Sequence, residues 1–185
     1  MQAKTKFYDA WTDCLGAFMC TMGPEAFFNT LPLRLQEFSL DSLTYAQDSR
    51  SYLLPAVKRH LKRGDLAFFL TYFIPTATNL GIKAEEHKSG ADYSLTKVKK
   101  YETMIVQIWE LLPIFCRYNS PKLAEAFKTL LDHLETMVNK NVLGLRPVAL
   151  RAFSETIIHC KVTPVVTDQV KKTRLGLARI SHDYV

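Results

Sequence analysis

The sequence predicts an all-α protein built from stacked antiparallel helix pairs, and three observations lead there. Apolar residues recur at three- and four-residue spacing through most of the 185-residue chain, with no convincing strand alternation. Glycine is scarce, at seven residues, which disfavours a β protein rich in tight turns. Four prolines follow a branched aliphatic residue inside segments that otherwise read as amphipathic helix: Leu31-Pro32, Leu54-Pro55, Ile74-Pro75 and Leu112-Pro113. A proline inside a helix removes a backbone hydrogen bond and clashes with the preceding turn, at a cost of about 3 kcal/mol. Four such positions point to an architecture that uses bent helices. Helix pairs recur about every 40 residues, the period of HEAT and armadillo units, so the expected form is an α-solenoid of about six to seven helices. A compact all-α bundle is the alternative.

A first helix near Phe7–Met22 carries Phe7, Trp11, Cys14, Leu15, Phe18 and Met22 as one expected buried stripe. Gly23-Pro24 breaks it, and Pro24 suits the first position of a second helix bearing Phe28, Leu31, Leu35 and Phe38, with Pro32 inside it. Asp48 or Ser49 can cap a third, with Leu54, Val57 and Leu61 inward. Gly64-Asp65 is the clearest stop and restart. Behind it Leu66, Phe69, Leu70, Phe73, Ala77 and Leu80 form a stripe that Gly81 is expected to close. The polar stretch 82–96, with Glu85, Glu86, His87, Lys88, Ser89 and Gly90 together, reads as a loop with a short helical start.

The next pattern is the strongest. Tyr101, Met104, Ile105, Ile108, Leu112 and Phe115 share a face. Ser120-Pro121 opens a helix with Leu123, Phe127, Leu130, Leu131, Leu134 and Val138 inward and Lys122, Glu125, Lys128, Asp132 and Glu135 outward. Leu145-Arg146-Pro147 opens another, with Val148, Ala152, Phe153, Ile157 and Cys160 inward, and Val165–Leu177 reads as a short final helix. Pro55 lies near its helix start and Pro113 near a helix end, which leaves Pro32 and Pro75 as the expected interior kinks. The whole chain, 1–185, reads as one helical-repeat segment with a weakly patterned tail at 161–185.

At the proline-bearing segments the sequence resembles a known family. Gly23-Pro24-Glu25-Ala26-Phe27-Phe28-Asn29-Thr30-Leu31-Pro32-Leu33 is similar to a hallmark of the ribosomal RNA-processing protein twelve family, large HEAT-repeat ribosome-assembly factors. So are Ser49-Arg50-Ser51-Tyr52-Leu53-Leu54-Pro55 and Leu66-Ala67-Phe68-Phe69-Leu70-Thr71-Tyr72-Phe73-Ile74-Pro75. Tyr101-Glu102-Thr103 through Gln107-Ile108-Trp109-Glu110-Leu111-Leu112-Pro113 to Phe115-Cys116 is the most specific block, and Arg146-Pro147-Val148 adds a fifth. The blocks keep the family's order between Gly23 and Ile158. The resemblance implies a curved α-solenoid segment of a longer, non-catalytic factor. It further implies a role in small-subunit (pre-40S/90S) pre-ribosomal RNA processing and pre-ribosome export, in the nucleolus and nucleus with shuttling to the cytoplasm. The implied partners are pre-ribosomal RNA and small-subunit assembly factors or ribosomal proteins.

Chemistry was sought independently of the resemblance. His60, His87, His133, His159 and His182 are scattered, and His159-Cys160 alone does not supply the three converging ligands of a zinc site. No glycine-rich phosphate loop follows a strand, and no G-x-S-x-G elbow occurs, so no catalytic residues, metal or cofactor are expected. Cys14, Cys20, Cys116 and Cys160 have no C-x-x-C spacing and read as buried, reduced thiols of an intracellular protein. No apolar run reaches bilayer-spanning length, and nothing points to a small-molecule substrate. Phe68, Phe69, Tyr72 and Phe73 have core spacing, and Trp109 is expected wedged between helices.

Charge is the better lead. The chain carries a formal +6, from 24 Lys+Arg against 18 Asp+Glu. Lys58, Arg59, Lys62 and Arg63 cluster at a helix end, where the dipole alone would favour cations. Lys97, Lys99 and Lys100 sit at a helix start, where it would not. Lys171, Lys172, Arg174 and Arg179 form a third group. If inter-helix ends align along one edge, these groups merge into a stripe that attracts RNA phosphates by counterion release. Two rivals stand beside that reading: a protein-only, transport-receptor-like adaptor whose groove takes peptides or helices, and an all-α enzyme with a deep polar pocket.

Overall fold

The structure, a computed structural model, describes residues 2–35, 50–89, 93–117 and 123–159, and the regular elements among them are helical. They are α1 (Gln2–Met22), α2 (Pro24–Thr30), α3 (Leu53–His60), α4 (Leu66–Phe68), α5 (Ile74–Ser89), α6 (Leu95–Trp109), α7 (Leu112–Phe115), α8 (Leu123–Lys140) and α9 (Arg146–His159). α1 packs on α3, α5 runs along α6, and α8 packs on α9. The expected caps at Asp48, Ser49 and Ser120, the residues Phe38, Pro121, Lys122 and Cys160, and the final helix at 165–177 lie outside the described residues.

α1 is turned away from its apolar stripe. Thr12 and Met19 are buried, Trp11 and Leu15 are partly covered, and Cys14, Phe18 and Met22 face outward. The cause is a close approach at Gly16. A Cβ there would sit 2.3 Å from Cγ of His60 on α3, so the glycine must face inward, and the rest of the helix turns with it. The expected inward placement of Cys14, Phe18 and Met22 is thereby corrected, as is that of Cys20, which is exposed and donates from Sγ to the His60 carbonyl at 3.4 Å.

Only one of the four prolines lies in a helix interior. α2 ends at Thr30, and Leu31 leaves it at φ −126°, ψ 72°. A residue before proline is sterically pushed out of the α region, so Pro32 lies beyond the helix and not within it. The segment that follows is pinned from two directions. Leu33 N–H donates to the Tyr72 hydroxyl (3.0 Å), and Arg50 donates to the Leu33 carbonyl from its amide (2.9 Å) and to the Pro32 carbonyl from Nη1 (3.0 Å). Pro55 is the third residue of α3, and Pro113 lies in the first turn of α7, after a break at Glu110–Leu111.

Pro75 is the interior case. α4 starts with Asp65 as its cap, accepting from Ala67 N–H at 2.9 Å, and continues through a π-helical turn, Phe69–Phe73, into α5. There the Ile74 N–H reaches the Phe69 carbonyl five residues back. A wide turn immediately before a proline relieves its clash with the preceding carbonyl and absorbs the missing donor.

α5 also runs through Gly81 to Ser89, so the loop expected over 82–96 is corrected. Its last two turns are held on α6: Ala84 is buried, His87 stacks on Tyr101 (5.8 Å, 9°), and Lys88 pairs with Glu85 (2.8 Å) and Glu102 (3.1 Å). Tertiary contact outweighs the roughly 1 kcal/mol that an interior glycine costs. With Phe69, just before α5, beside Trp109 at the end of α6, these contacts make α5 and α6 antiparallel.

The core runs from Met19 of α1 to Phe153 of α9. Leu66, Phe69, Phe73, Ile108, Leu112 and Phe115 are fully buried. Phe28, Phe68, Tyr72, Phe73 and Phe115 form a continuous aromatic cluster with centroid separations of 5.1–6.4 Å. Trp109 is wedged between Phe69 and His133, as the sequence predicts. In α9, Ala149 and Thr156 point inward and Ile157 outward, a correction to the expected stripe.

Candidate nucleic-acid interface

The two basic clusters lie at opposite ends of α6. Lys97, Lys99 and Lys100 occupy its first turns, which Ser94 caps by accepting from Lys97 N–H at 3.5 Å. The cluster on α3 meets the other end, where Lys58 Nζ donates to Glu110 Oε2 at 2.7 Å. At 1.5 Å per residue the ends are about 20 Å apart. Lys171, Lys172, Arg174 and Arg179 lie outside the described residues.

The α3 cluster is partly spent on holding helices together. Besides the Lys58–Glu110 pair, Arg59 lies 3.6 Å from Asp9, and His60 lies 3.3 Å from Asp13, both on α1. These half-exposed pairs orient neighbouring helices more than they stabilise them. Lys62 and Arg63 are exposed in the α3–α4 connection.

The α6 start gains neighbours that sequence reading missed. Because α5 stays helical to Ser89, its last two turns pack on α6, with Lys88 paired to Glu102, and carry Lys83 and Lys88 to the same end of the helix pair as Lys97, Lys99 and Lys100. Glu85 and Glu102 hold the Lys88 ammonium above its ordinary pKa, so it stays charged. With Glu86, this end carries five lysines against three glutamates. Tyr93, immediately before the cap, has 62% of its surface exposed, and Leu95 has 50%. The signal that could have found Lys83 and Lys88 is the i, i+3 Glu85–Lys88 pair, which marks the stretch as helix.

A second ionic knot joins α7 to α9. Arg117 Nε and Nη2 donate to Glu155 Oε2 and Oε1 at 3.0 and 2.7 Å, with Arg151 and His159 at 3.8 and 3.1 Å. Arg117 holds the Glu155 carboxyl below its ordinary pKa, and Glu155 raises that of Arg117. All these charges are mutually engaged, so the knot reads as a structural strut. Among the described residues, no group of three His, Cys, Asp or Glu is placed to hold a metal, and no helix is long and apolar enough to cross a membrane.

Comparison with known proteins agrees with this architecture. The family described as "Ribosomal RNA-processing protein 12, HEAT repeats" matches residues 2–179. The chain belongs to that family. Its relatives include an RRP12-like protein of Gallus gallus, 33% identical over 147 residues, which cover 78% of this chain and 10% of that protein. An RRP12-like protein of Homo sapiens is 36% identical over 107 residues, covering 58% of the chain and 8% of that protein. A putative ribosomal RNA-processing protein 12 of Schizosaccharomyces pombe is 33% identical over 104 residues, covering 56% and 8%. The chain therefore spans about a tenth of the length of the curated relatives it matches. Membership of the HEAT-repeat family identifies the stacked helix pairs as an α-solenoid segment, as the bent-helix pattern predicts.

Proposed function

We propose that this chain is a scaffold segment of a ribosome-assembly factor, acting by binding and not by catalysis, and that it contacts pre-ribosomal RNA at the α5–α6 end. The observation that carries this reading is the lysine surplus there beside an exposed tyrosine. Lys97, Lys99 and Lys100 add positive charge at a helix start, where the dipole also favours anions, so a phosphate bound there would be stabilised by both. Phosphates bind such a surface by counterion release, and Tyr93 offers a face on which an unpaired base can stack. Family membership and the names of the relatives support a place in ribosomal RNA processing. Small-subunit precursors, nucleolar residence and passage to the cytoplasm with exported subunits complete the proposal.

The test is binding of the 185-residue chain to structured small-subunit precursor RNA at increasing salt. Lys97→Ala/Lys99→Ala/Lys100→Ala is expected to reduce the salt slope by about 2–3, and Tyr93→Ala to cost about 1–3 kcal/mol on single-stranded regions. Undetectable binding at low salt, or binding indifferent to both variants, refutes RNA contact at this end. The protein-only adaptor reading is favoured by one observation: Lys58 and Arg59, at the other end, are used between helices. It predicts that partner proteins bind with no RNA present.

A further inference from the structure

A second surface combines an uncovered apolar stripe with a cationic end. Cys14, Phe18 and Met22 recur every four residues on α1, which puts them on one face. That face is open: Phe18 is 61% and Met22 48% exposed. The stripe runs into a cleft of about 500 Å³ between the end of α1 and the α3–α4 connection. Met19, Met22, Pro24 and Leu61 supply apolar walls, and Lys62 and Arg63 also line it. Asp65, also on the lining, is already bonded to the Ala67 amide as a helix cap.

We infer that this cleft receives an amphipathic, acidic helix of a partner protein. Its apolar face would cover Phe18 and Met22, and its carboxylates would meet Lys62 and Arg63. Three features select this occupant. An i, i+4 pair of large apolar side chains is the pattern that reads an apolar helical face. Thioether walls adapt to inserted side chains, and they offer nothing to a phosphate. On the cleft lining Lys62 and Arg63 outnumber Asp65, so the complementary helix is acidic there. The inference is independent of RNA contact at the α5–α6 end, about a helix length away.

The test uses the 185-residue chain and a labelled amphipathic peptide of about 18 residues, with leucines at i, i+4 and glutamates flanking them. Fluorescence anisotropy should show binding at least about tenfold tighter than for the same peptide with lysines replacing the glutamates. Phe18→Ser and Met22→Ser should each weaken it about tenfold while leaving the helical circular dichroism unchanged. Lys62→Glu/Arg63→Glu should reverse the preference between the two peptides. Lys97→Ala/Lys99→Ala/Lys100→Ala should leave peptide binding intact, which separates this site from the RNA reading. The inference is overturned if no peptide binds, if both bind alike, or if Phe18→Ser and Met22→Ser have no effect. It is also overturned if a single-stranded RNA oligonucleotide displaces the peptide and binds equally well to Phe18→Ser. Sedimentation showing a dimer lost in Phe18→Ser would give the face to a second copy of the chain instead.

Discussion

Alanine substitution at Gly64 and at Gly81 should shift stability in opposite directions, and the structure supplies the reason for each sign. Gly64 is buried where the α3–α4 connection passes Phe115. A Cβ built there falls 2.4 Å from both Cδ1 and Cε1 of the ring, far inside van der Waals contact. The ring has little room to yield: Phe115 is fully buried, with Phe69 and Phe73 centroids at 5.3 and 5.5 Å. Overpacking of this kind costs about 1–3 kcal/mol, more than the 0.4–1 kcal/mol that alanine returns by restricting the unfolded chain. Gly81 is the counter-case. It sits inside α5, and a Cβ there meets nothing within 4 Å, so Gly81→Ala should gain up to about 1 kcal/mol of helix propensity. Urea unfolding of the three proteins, followed by circular dichroism at constant m-value, measures both differences. If Gly64→Ala stays within about 0.5 kcal/mol of the parent, the packing argument at Phe115 fails. If Gly81→Ala destabilises, α5 does not run through that position.

Other perturbations test separate contacts. Tyr72→Phe removes the acceptor of the buried Leu33 amide and should cost about 1–2 kcal/mol, with faster hydrogen exchange at that amide. Burial raises the Tyr72 phenol above its ordinary pKa, so this contact should persist unchanged through mildly alkaline pH. Glu155→Gln should cost about 1 kcal/mol at neutral pH, because it breaks a bidentate pair with Arg117. The Glu155 carboxyl is depressed in the folded state, so its contribution is present above the unfolded carboxylate pKa and disappears as pH falls through the folded one. The gap between parent and variant should therefore close in acid, as read by thermal unfolding across pH; a gap that widens would refute the assignment. Phe18→Ser, at an exposed position, should leave Tm nearly unchanged, whereas Phe28→Ser, in the aromatic core, should lower stability by at least about 3 kcal/mol.

Local signals were legible wherever one residue's chemistry sufficed. Asp65 caps α4, Pro24 starts α2, and Leu66, Phe69, Phe73, Ala77 and Leu80 are buried at the spacing that predicts it. Three expectations failed, two of them where a distant contact decided. Gly81 did not end its helix, because α6 holds the following two turns. Pro32 did not enter a helix, because the residue before it had already left the α region. α1 did not bury its apolar stripe, because Gly16 had to face His60. The candidate site shows the same division. Lys97, Lys99 and Lys100 were visible as a group, but Lys83 and Lys88 join them only through the antiparallel pairing of α5 and α6.

The sequence by itself determined the helical class, the starts of α2, α4 and α9, the aromatic core and the family, since these depend on periodicity, caps and ordered blocks readable along the chain. Only the tertiary structure decided how far α5 runs, which face of α1 is left open, and which cations are used between helices. Those outcomes depend on residues far apart in sequence, Gly16 with His60, Gly64 with Phe115, and Lys58 with Glu110, whose proximity no local pattern encodes.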